Sequence, residues 1–257
     1  MPGTLAALKR RALKVPLLVG IWRTFRPLPT RPSGREVIAD YLRALPPGAD
    51  LKVLFGGHWS NNPGWLLLHE RDQDITTPLQ FASGTLDMLF AEHVIEHVNL
   101  LGGIHFLQES FRILKPGGVC RIVCPMLDRL MTADLDDANG REYIRNSVAH
   151  FFVEEEKLLS GTLGLNGINE DARAFLFNSV YMNHGHRFIW TSGLMIAVMK
   201  AIGFRTAQRF GPGEGSRPAD CIERRRRGIY LGWDYREELE TPREPHDSES
   251  FVVEAVK

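Results

Sequence analysis

Two histidines and two glutamates that follow an apolar run have the clearest potential for chemistry. The block Glu92-His93-Val94-Ile95-Glu96-His97 comes directly after the apolar residues 86–91. A histidine titrates near neutral pH and can take a proton from a bound substrate, so His93 is a candidate catalytic base. A histidine that only braces its own loop would look the same in sequence, and both roles stay open.

The same block raises the question of a metal site. His97 lies one helical turn beyond His93 and directly follows Glu96, so an imidazole and a carboxylate share one region. Protein metal sites use three or four such ligands. Because the sequence shows no third ligand, we predict no metal site and interpret His97 as a locally hydrogen-bonded histidine.

A second pair of histidines lies much later in the chain. His184 and His186 alternate within Asn-His-Gly-His-Arg at 183–187, and alternate residues of an extended segment share one side. Both could therefore face the same cleft, and we take His184 as a second catalytic candidate. A purely structural role fits these residues equally well.

Other candidate binding residues also follow apolar runs. After the runs 51–55 and 65–68 come Gly56, Gly57, His58, His69, Glu70 and, a few residues further on, Asp74 and Ile75. A glycine turn after a strand lets the backbone approach a ligand that a side chain would push away. Acids at the ends of neighbouring strands can accept hydrogen bonds from hydroxyl and amino groups.

The elements that would position these residues alternate between strand and helix. Ser33, with Glu36 three residues on, predicts a capping box that starts a helix, and Pro-Pro-Gly at 46–48 ends it. Apolar spacing between 104 and 114 predicts another helix, ended by Lys-Pro-Gly-Gly at 115–118. Alternation of this kind predicts an α/β fold, a doubly wound and mostly parallel sheet that binds ligands beyond the carboxyl ends of its strands.

Charge and composition limit the partners that the chain could bind. Lysine plus arginine equals aspartate plus glutamate at 31 each, so no excess of positive charge indicates nucleic acid. Eight basic residues and no acid precede Glu36, however, and residues 15–22 are mostly apolar. We interpret 1–32 as a basic N-terminal arm, either solvated or resting on an anionic membrane surface, since eight apolar residues are too few to cross a bilayer.

The rest of the chain, 33–257, is predicted to be one domain. Residues 126–187 interrupt the strand–helix rhythm and are predicted to be an inserted, mainly helical cap. The three cysteines are Cys120, Cys124 and Cys221, a number that fits a reducing compartment. Cys120 and Cys124 sit in an apolar run, so we interpret them as buried, and we expect a cytoplasmic protein.

Four stretches of the chain resemble the class I S-adenosylmethionine-dependent methyltransferases, in particular the type 11 methyltransferase-domain group. They are 52–57 with Pro-Gly-Trp at 63–65, 74–87, the block 91–97, and 106–125 with its Leu-Lys-Pro-Gly-Gly turn. The resemblance implies a Rossmann-like, seven-stranded sheet whose last strand is antiparallel, and S-adenosylmethionine as cofactor. It implies cofactor-binding roles for Gly56, Gly57, His58, His69, Glu70, Asp74, Ile75, Ala91 and Glu92.

The chain departs from the family pattern at two positions. The family has Gly-x-Gly after the first strand, and His58 stands where the second glycine belongs. His69 aligns with the acid that ends the second strand, and Glu70 is the neighbouring acid. Both departures fall on the cofactor side of the sheet.

Two functions therefore compete. The first is methyl transfer from S-adenosylmethionine to an unidentified acceptor, either a small molecule or a surface-presented group. The second is a non-catalytic methyltransferase-fold binding or scaffold protein, which the two departures favour. A dinucleotide oxidoreductase fits poorly because no Gly-x-Gly-x-x-Gly follows the first strand.

Overall fold

A computed structural model describes most of the chain between residues 32 and 257. The described residues are 32–56, 62–125, 127, 141, 148–183, 185–211, 213–222, 229–231, 234–236 and 250–257. The basic arm, except for Pro32, lies outside them.

The described residues form both strands and α-helices, as predicted. The strands are β1 (Lys52–Gly56), β2 (Leu66–Leu68), β3 (Leu86–Glu92), β4 (Leu114–Pro125), β5 (Thr206–Phe210), β6 (Ile229–Leu231), β7 (Asp234–Arg236) and β8 (Ser250–Val256). The α-helices are α1 (Gly34–Ala44), α2 (Leu100–Ile113), α3 (Val153–Glu156), α4 (Ala172–Asn178) and α5 (Ser192–Ile202).

Six of these strands form one sheet in the order β2-β1-β3-β4-β8-β5. β2, β1, β3 and β4 are parallel to one another, whereas β8 is antiparallel to both of its neighbours. The Rossmann-like methyltransferase fold is thus confirmed, including the antiparallel last strand. The expected seventh strand is not found among the described residues, because the chain between β2 and β3 forms turns.

Local signals explain where the helices begin and end. Ser33 caps α1 in a capping box, in which the backbone N–H of Ser33 donates to Glu36 Oε2 at 2.7 Å. Thr191 caps α5, its hydroxyl oxygen accepting from the Leu194 N–H at 3.1 Å. Gly203 ends α5 at a φ of 120°, a value that favours glycine. These hydrogen bonds satisfy backbone N–H groups that have no partner within the helix.

The two faces of the sheet are covered differently. Buried residues of α1, α2 and α5 join one core cluster, which includes Ile38, Phe106 and Met195. The opposite face packs with Trp65 and Ile222. The doubly wound prediction placed helices on both faces, whereas in the described residues these three helices pack on one. The physical reason is that the described parts of the β1–β2 and β2–β3 connections are turns.

A buried ion pair joins β4 to β8 on the face of the sheet opposite these helices. Arg121 on β4 donates from Nη1 to Glu254 Oε2 of β8 at 3.1 Å, and both side chains are buried. Glu254 Oε1 also accepts from the Ser216 N–H at 2.9 Å. The residues around Ser216 are thereby fixed to the sheet.

The described part of the insertion consists of short helical segments. Between α3 and the chain's return to the sheet lie π-helical turns at Lys157–Thr162 and Ser179–Asn183, with a 3-10 helix at Gly167–Asp171. A small core of Val148, Ile168 and Leu176 holds them together. Within the described residues, no helix combines the length and apolar character required to cross a bilayer.

Candidate active site

The carboxyl ends of β1, β2 and β3 lie side by side at one edge of the sheet. Gly56 pairs in register with Glu92, and Phe55 pairs with Leu68, so His69 follows at the end of the neighbouring strand. Ends of adjacent parallel strands are where open α/β sheets bind ligands. Three of the residues singled out in sequence, Gly56, His69 and Glu92, are therefore brought together.

Gly56 turns the chain sharply at this edge. Its φ is 79°, and a β-carbon there would lie 2.7 Å from the carbonyl oxygen of Glu92 and 2.5 Å from a methyl group of Val94. Contacts under 3.0 Å are not tolerated by a real β-carbon. The packing of β1 against β3 is thus sufficient to require glycine at this position.

The end of β2 is closed by an aspartate that the sequence analysis missed. Asp72 is buried, and its Oδ2 accepts from the backbone N–H of His69 at 3.0 Å. The N–H groups of Asp72 and Gln73 donate in turn to the His69 carbonyl at 2.9 and 3.0 Å. His69 is half-buried in this turn, whereas Glu70 is exposed. Asp72 stands three residues after His69, the first residue beyond β2. An aspartate at this spacing is typical of turns, and this signal could have identified Asp72.

Asp74 and Ile75, the two predicted residues of the loop beyond this turn, differ in their exposure to solvent. Asp74 is exposed, and its Oδ1 accepts from the backbone N–H and the hydroxyl of Thr76, both at 2.8 Å. Ile75 is buried in the main core. Asp74 is therefore available at the surface, while Ile75 anchors the loop.

Two predicted residues end β3 inside the protein. Ala91 is a core residue beneath the edge, and Glu92 is a buried carboxylate, 7% exposed, beside Gly56. Asn62 is a further buried residue that the sequence analysis missed, and its side-chain nitrogen has no hydrogen-bond partner among the described residues. An orphaned buried donor is unusual and calls for a partner.

His93 is held on both sides of its ring. Its Nδ1 lies 3.0 Å from Glu96 Oε1, and its Nε2 lies 3.1 Å from Ser250 Oγ. Its φ is 51°, the only positive value at a non-glycine residue in the described part of the chain. About a third of the side chain, 34%, is exposed. His93 thus braces the end of β3 while remaining accessible from solvent.

Glu96 is the buried partner of that ring. Burial acts to raise the pKa of Glu96, but the hydrogen bond from His93 and the charges of nearby histidines outweigh it, so the pKa lies below its ordinary value. Cys124 Sγ donates to the other carboxylate oxygen at 3.6 Å. Glu96 is therefore an anion in the protein interior that is hydrogen-bonded on both oxygens.

The remaining predicted site residues, Gly57, His58 and His184, lie outside the described residues. His186, the companion of His184, is described, and its Nε2 lies 4.0 Å from Glu96 Oε1. The C-terminal end of the insertion thus returns to the end of β3.

Comparisons with known proteins agree with this fold. The family model of the methyltransferase domain matches residues 59–122, which include β2, β3, α2 and most of β4. The match confirms the resemblance to the class I S-adenosylmethionine-dependent methyltransferases. A search of curated proteins finds no significant match.

The solved structures to which this chain is similar are distant in sequence. An S-adenosylmethionine-dependent methyltransferase of Thermotoga maritima is 13% identical, with 87% of this chain and 88% of that chain covered and a TM-score of 0.39. One from Mesorhizobium loti is 12% identical, with coverages of 86% and 98% and a TM-score of 0.40. For a Nostoc punctiforme protein assigned as an O-methyltransferase, identity is 10%, the TM-score is 0.36, and the coverages are 76% of this chain and 37% of that one.

Proposed function

We propose that the protein transfers a methyl group from S-adenosylmethionine to an acceptor bound at the carboxyl edge of the sheet. The observation that carries this proposal is the register pairing of Gly56 with the buried Glu92, within a chain that matches the methyltransferase domain. This pairing places a tight glycine turn directly beside an acid at the edge where such sheets bind ligands.

The residues present fit the cofactor chemically. S-adenosylmethionine carries an ammonium, a carboxylate, ribose hydroxyls and an adenine amino group. Glu92 and Asp74 supply carboxylate acceptors for the amino and hydroxyl groups, and the buried amide nitrogen of Asn62 supplies a donor without a described partner. When bound, the cofactor supplies the electrophilic methyl group, and alignment of the acceptor is the protein's main contribution.

His93 is the side chain best placed to handle a proton. When the His93 ring is neutral, the Glu96 anion favours the tautomer in which Nδ1 carries the hydrogen and donates to it, which leaves Nε2 as the acceptor of the Ser250 hydroxyl. An acceptor hydroxyl or amine that displaced Ser250 would meet the same Nε2 lone pair. His93 can therefore act as a base, with Glu96 fixing the ring.

We further propose that the insertion contacts the acceptor. Its described residues expose several large apolar side chains: Val153, Leu158, Leu163, Leu165, Phe177, Tyr181 and Met182. Such a surface suits a small or surface-presented acceptor with an apolar portion better than a nucleic acid. Cytoplasmic location and membrane contact through the basic arm remain proposals from the sequence.

A second candidate function is a methyltransferase fold that binds without turnover. It is favoured by His69, which directly follows β2 where the family resemblance implies an acid, and whose backbone N–H donates to Asp72. Gly56 also gives this candidate some support, because the packing of β3 requires glycine there with or without a ligand.

Binding of the cofactor separates the two candidates. Purified full-length protein is titrated with S-adenosylmethionine and S-adenosylhomocysteine by calorimetry, and its unfolding is followed at rising ligand concentration. A ligand that binds only the native state adds about 2.7 kcal/mol of stability at a hundredfold excess over Kd. We expect a saturable heat and a rising midpoint.

A matched pair of carboxylate variants locates the site. Glu92→Gln should weaken binding at least about tenfold, since a buried charge-assisted contact is lost. Asp40→Asn removes an exposed carboxylate of α1 and should leave binding unchanged. No heat with either ligand would reject the methyltransferase proposal, whereas binding without product formation across chemically varied acceptors would favour the second candidate.

A further inference from the structure

Three potential metal ligands converge beyond the end of β3. One ligand atom each of Glu96, His97 and His186 lies within 4.8 Å of the other two. His97 and His186 stack edge to face, with ring centroids 4.9 Å apart. The sequence alone offered two of these ligands, and the fold supplies the third.

His186 is brought to this place by backbone hydrogen bonds. The N–H groups of Arg187 and Phe188 both donate to the carbonyl oxygen of Glu96, at 2.8 and 3.2 Å. These bonds attach the C-terminal end of the insertion, and Phe188 directly after it, to the 3-10 helix Ile95–His97. The three side chains therefore meet through fixed backbone, which is what a preorganised site needs.

The charge at this place favours a cation. The Glu96 side chain is fully buried and the His186 side chain is only 6% exposed. Removing a carboxylate from water is costly unless a positive group compensates it. His93 donates to Oε1 of Glu96, and carboxylates that ligate metals are hydrogen-bonded by such neighbours.

We propose that Glu96, His97 and His186 form a binding site for a divalent transition metal, with Zn²⁺ the best match. Two imidazoles and a carboxylate are a ligand set that Zn²⁺ accepts, and three protein ligands leave a position open for water or another molecule. Metal–ligand bonds of about 2.0–2.2 Å bring ligand atoms closer together than the present 4.0 Å between His186 and Glu96. His97 is exposed, so its ring can rotate to bring its nitrogen within bonding distance of the metal.

This site goes beyond the proposed methyl transfer and does not depend on it. Its ligands lie beyond the end of β3, and none of them is among the residues expected to hold the cofactor. Metal binding and cofactor binding are therefore measured separately, and either can fail while the other holds.

The test is direct metal binding to the full-length protein. The protein is treated with a chelator, freed of it by gel filtration, and titrated with Zn²⁺ by calorimetry and with Co²⁺ by visible absorption. We expect one equivalent to bind and the Co²⁺ spectrum to show the intense bands of a low-symmetry, protein-bound ion. His97→Ala and His186→Ala should each weaken binding at least about tenfold.

Two controls keep the result interpretable. His105→Gln removes a histidine of α2 outside the cluster and should bind Zn²⁺ like the unmodified protein. His97 is exposed, so His97→Ala should retain the metal-free unfolding midpoint even if His186→Ala fails to fold. Binding of Zn²⁺ and Co²⁺ that is absent, or that is equal in His97→Ala and the unmodified protein, would overturn the proposal.

Discussion

The Nε2 atom of His93 and the Oγ atom of Ser250 lie 3.1 Å apart although the two residues are separated by 157 positions in the chain. This hydrogen bond joins the end of β3 to the start of β8. It holds a histidine whose φ of 51° is otherwise unfavourable for a residue with a β-carbon. The local strain at the strand end is thus offset by long-range contacts of the same side chain.

The two hydrogen bonds of His93 should differ in their contribution to stability. His93→Asn tolerates the left-handed backbone but leaves the buried Glu96 carboxylate without its imidazole donor, at a cost of about 3 kcal/mol. Ser250→Ala removes only the neutral partner and should cost about 1 kcal/mol. Urea unfolding of both variants measures the difference. Equal losses of unfolding free energy would show that the hydrogen bond to Glu96 does not contribute more than the one to Ser250.

Gly56 should be far less replaceable than a glycine with the same backbone angle in open space. Gly56→Ala adds the left-handed strain to the clash with Glu92 and Val94, so we expect a loss of at least about 3 kcal/mol. Gly64 has a φ of 81°, and a β-carbon added there would meet no other atom within 4 Å, so Gly64→Ala should lose only about 1–2 kcal/mol. Unfolding free energies in urea give the comparison, and a milder effect at Gly56 would contradict the packing argument.

Much of the fold was predictable because its signals are local. The cap formed by Ser33 and Glu36, the cap at Thr191 and the stop at Gly203 each act within a few residues. The side of the sheet on which a helix packs is not a local property. It depends on the connections. In the described residues, the segment 69–85 forms turns between β2 and β3, and α1, α2 and α5 all pack on one face of the sheet.

The site was predictable in part for the same reason. Glu92 and His93 follow an apolar strand, and a strand end is recognisable from the sequence itself. Asp72 was missed because its role, accepting from the His69 N–H, appears only when the turn is formed. The meeting of His186 with Glu96 depends on backbone bonds between distant segments, which no spacing rule gives.

The ion pair of Glu109 and Arg112 should make stability fall in acid. The hydrogen bond from Arg112 lowers the pKa of Glu109 below 4.5, with a further bond from the Leu79 N–H at 2.8 Å. A carboxyl whose folded pKa is below its unfolded value stabilises the protein above about pH 4.5 and loses that contribution as pH falls through the folded pKa.

Glu109→Gln should therefore cost about 1–2 kcal/mol at neutral pH, and the cost should shrink below pH 4.5. Urea unfolding of the unmodified protein and the variant across this pH range measures the difference between them. A difference that stays constant with pH would show that the charge of Glu109 does not contribute.

The three cysteines should be inert until the protein unfolds. Burial raises the pKa of Cys120 to about 12, and burial together with the Glu96 carboxylate raises the pKa of Cys124 well above its ordinary value. Cys221 is also buried. Because the thiolate is the reactive form, we expect no labelling by a thiol reagent in the native state at pH 8 and labelling of all three in guanidinium chloride. Leu101→Cys, at a position that is 76% exposed, provides the reactive control. Mass spectrometry identifies the labelled residue, and native labelling of Cys120 or Cys124 at the rate of the control would show that the core around β4 opens readily.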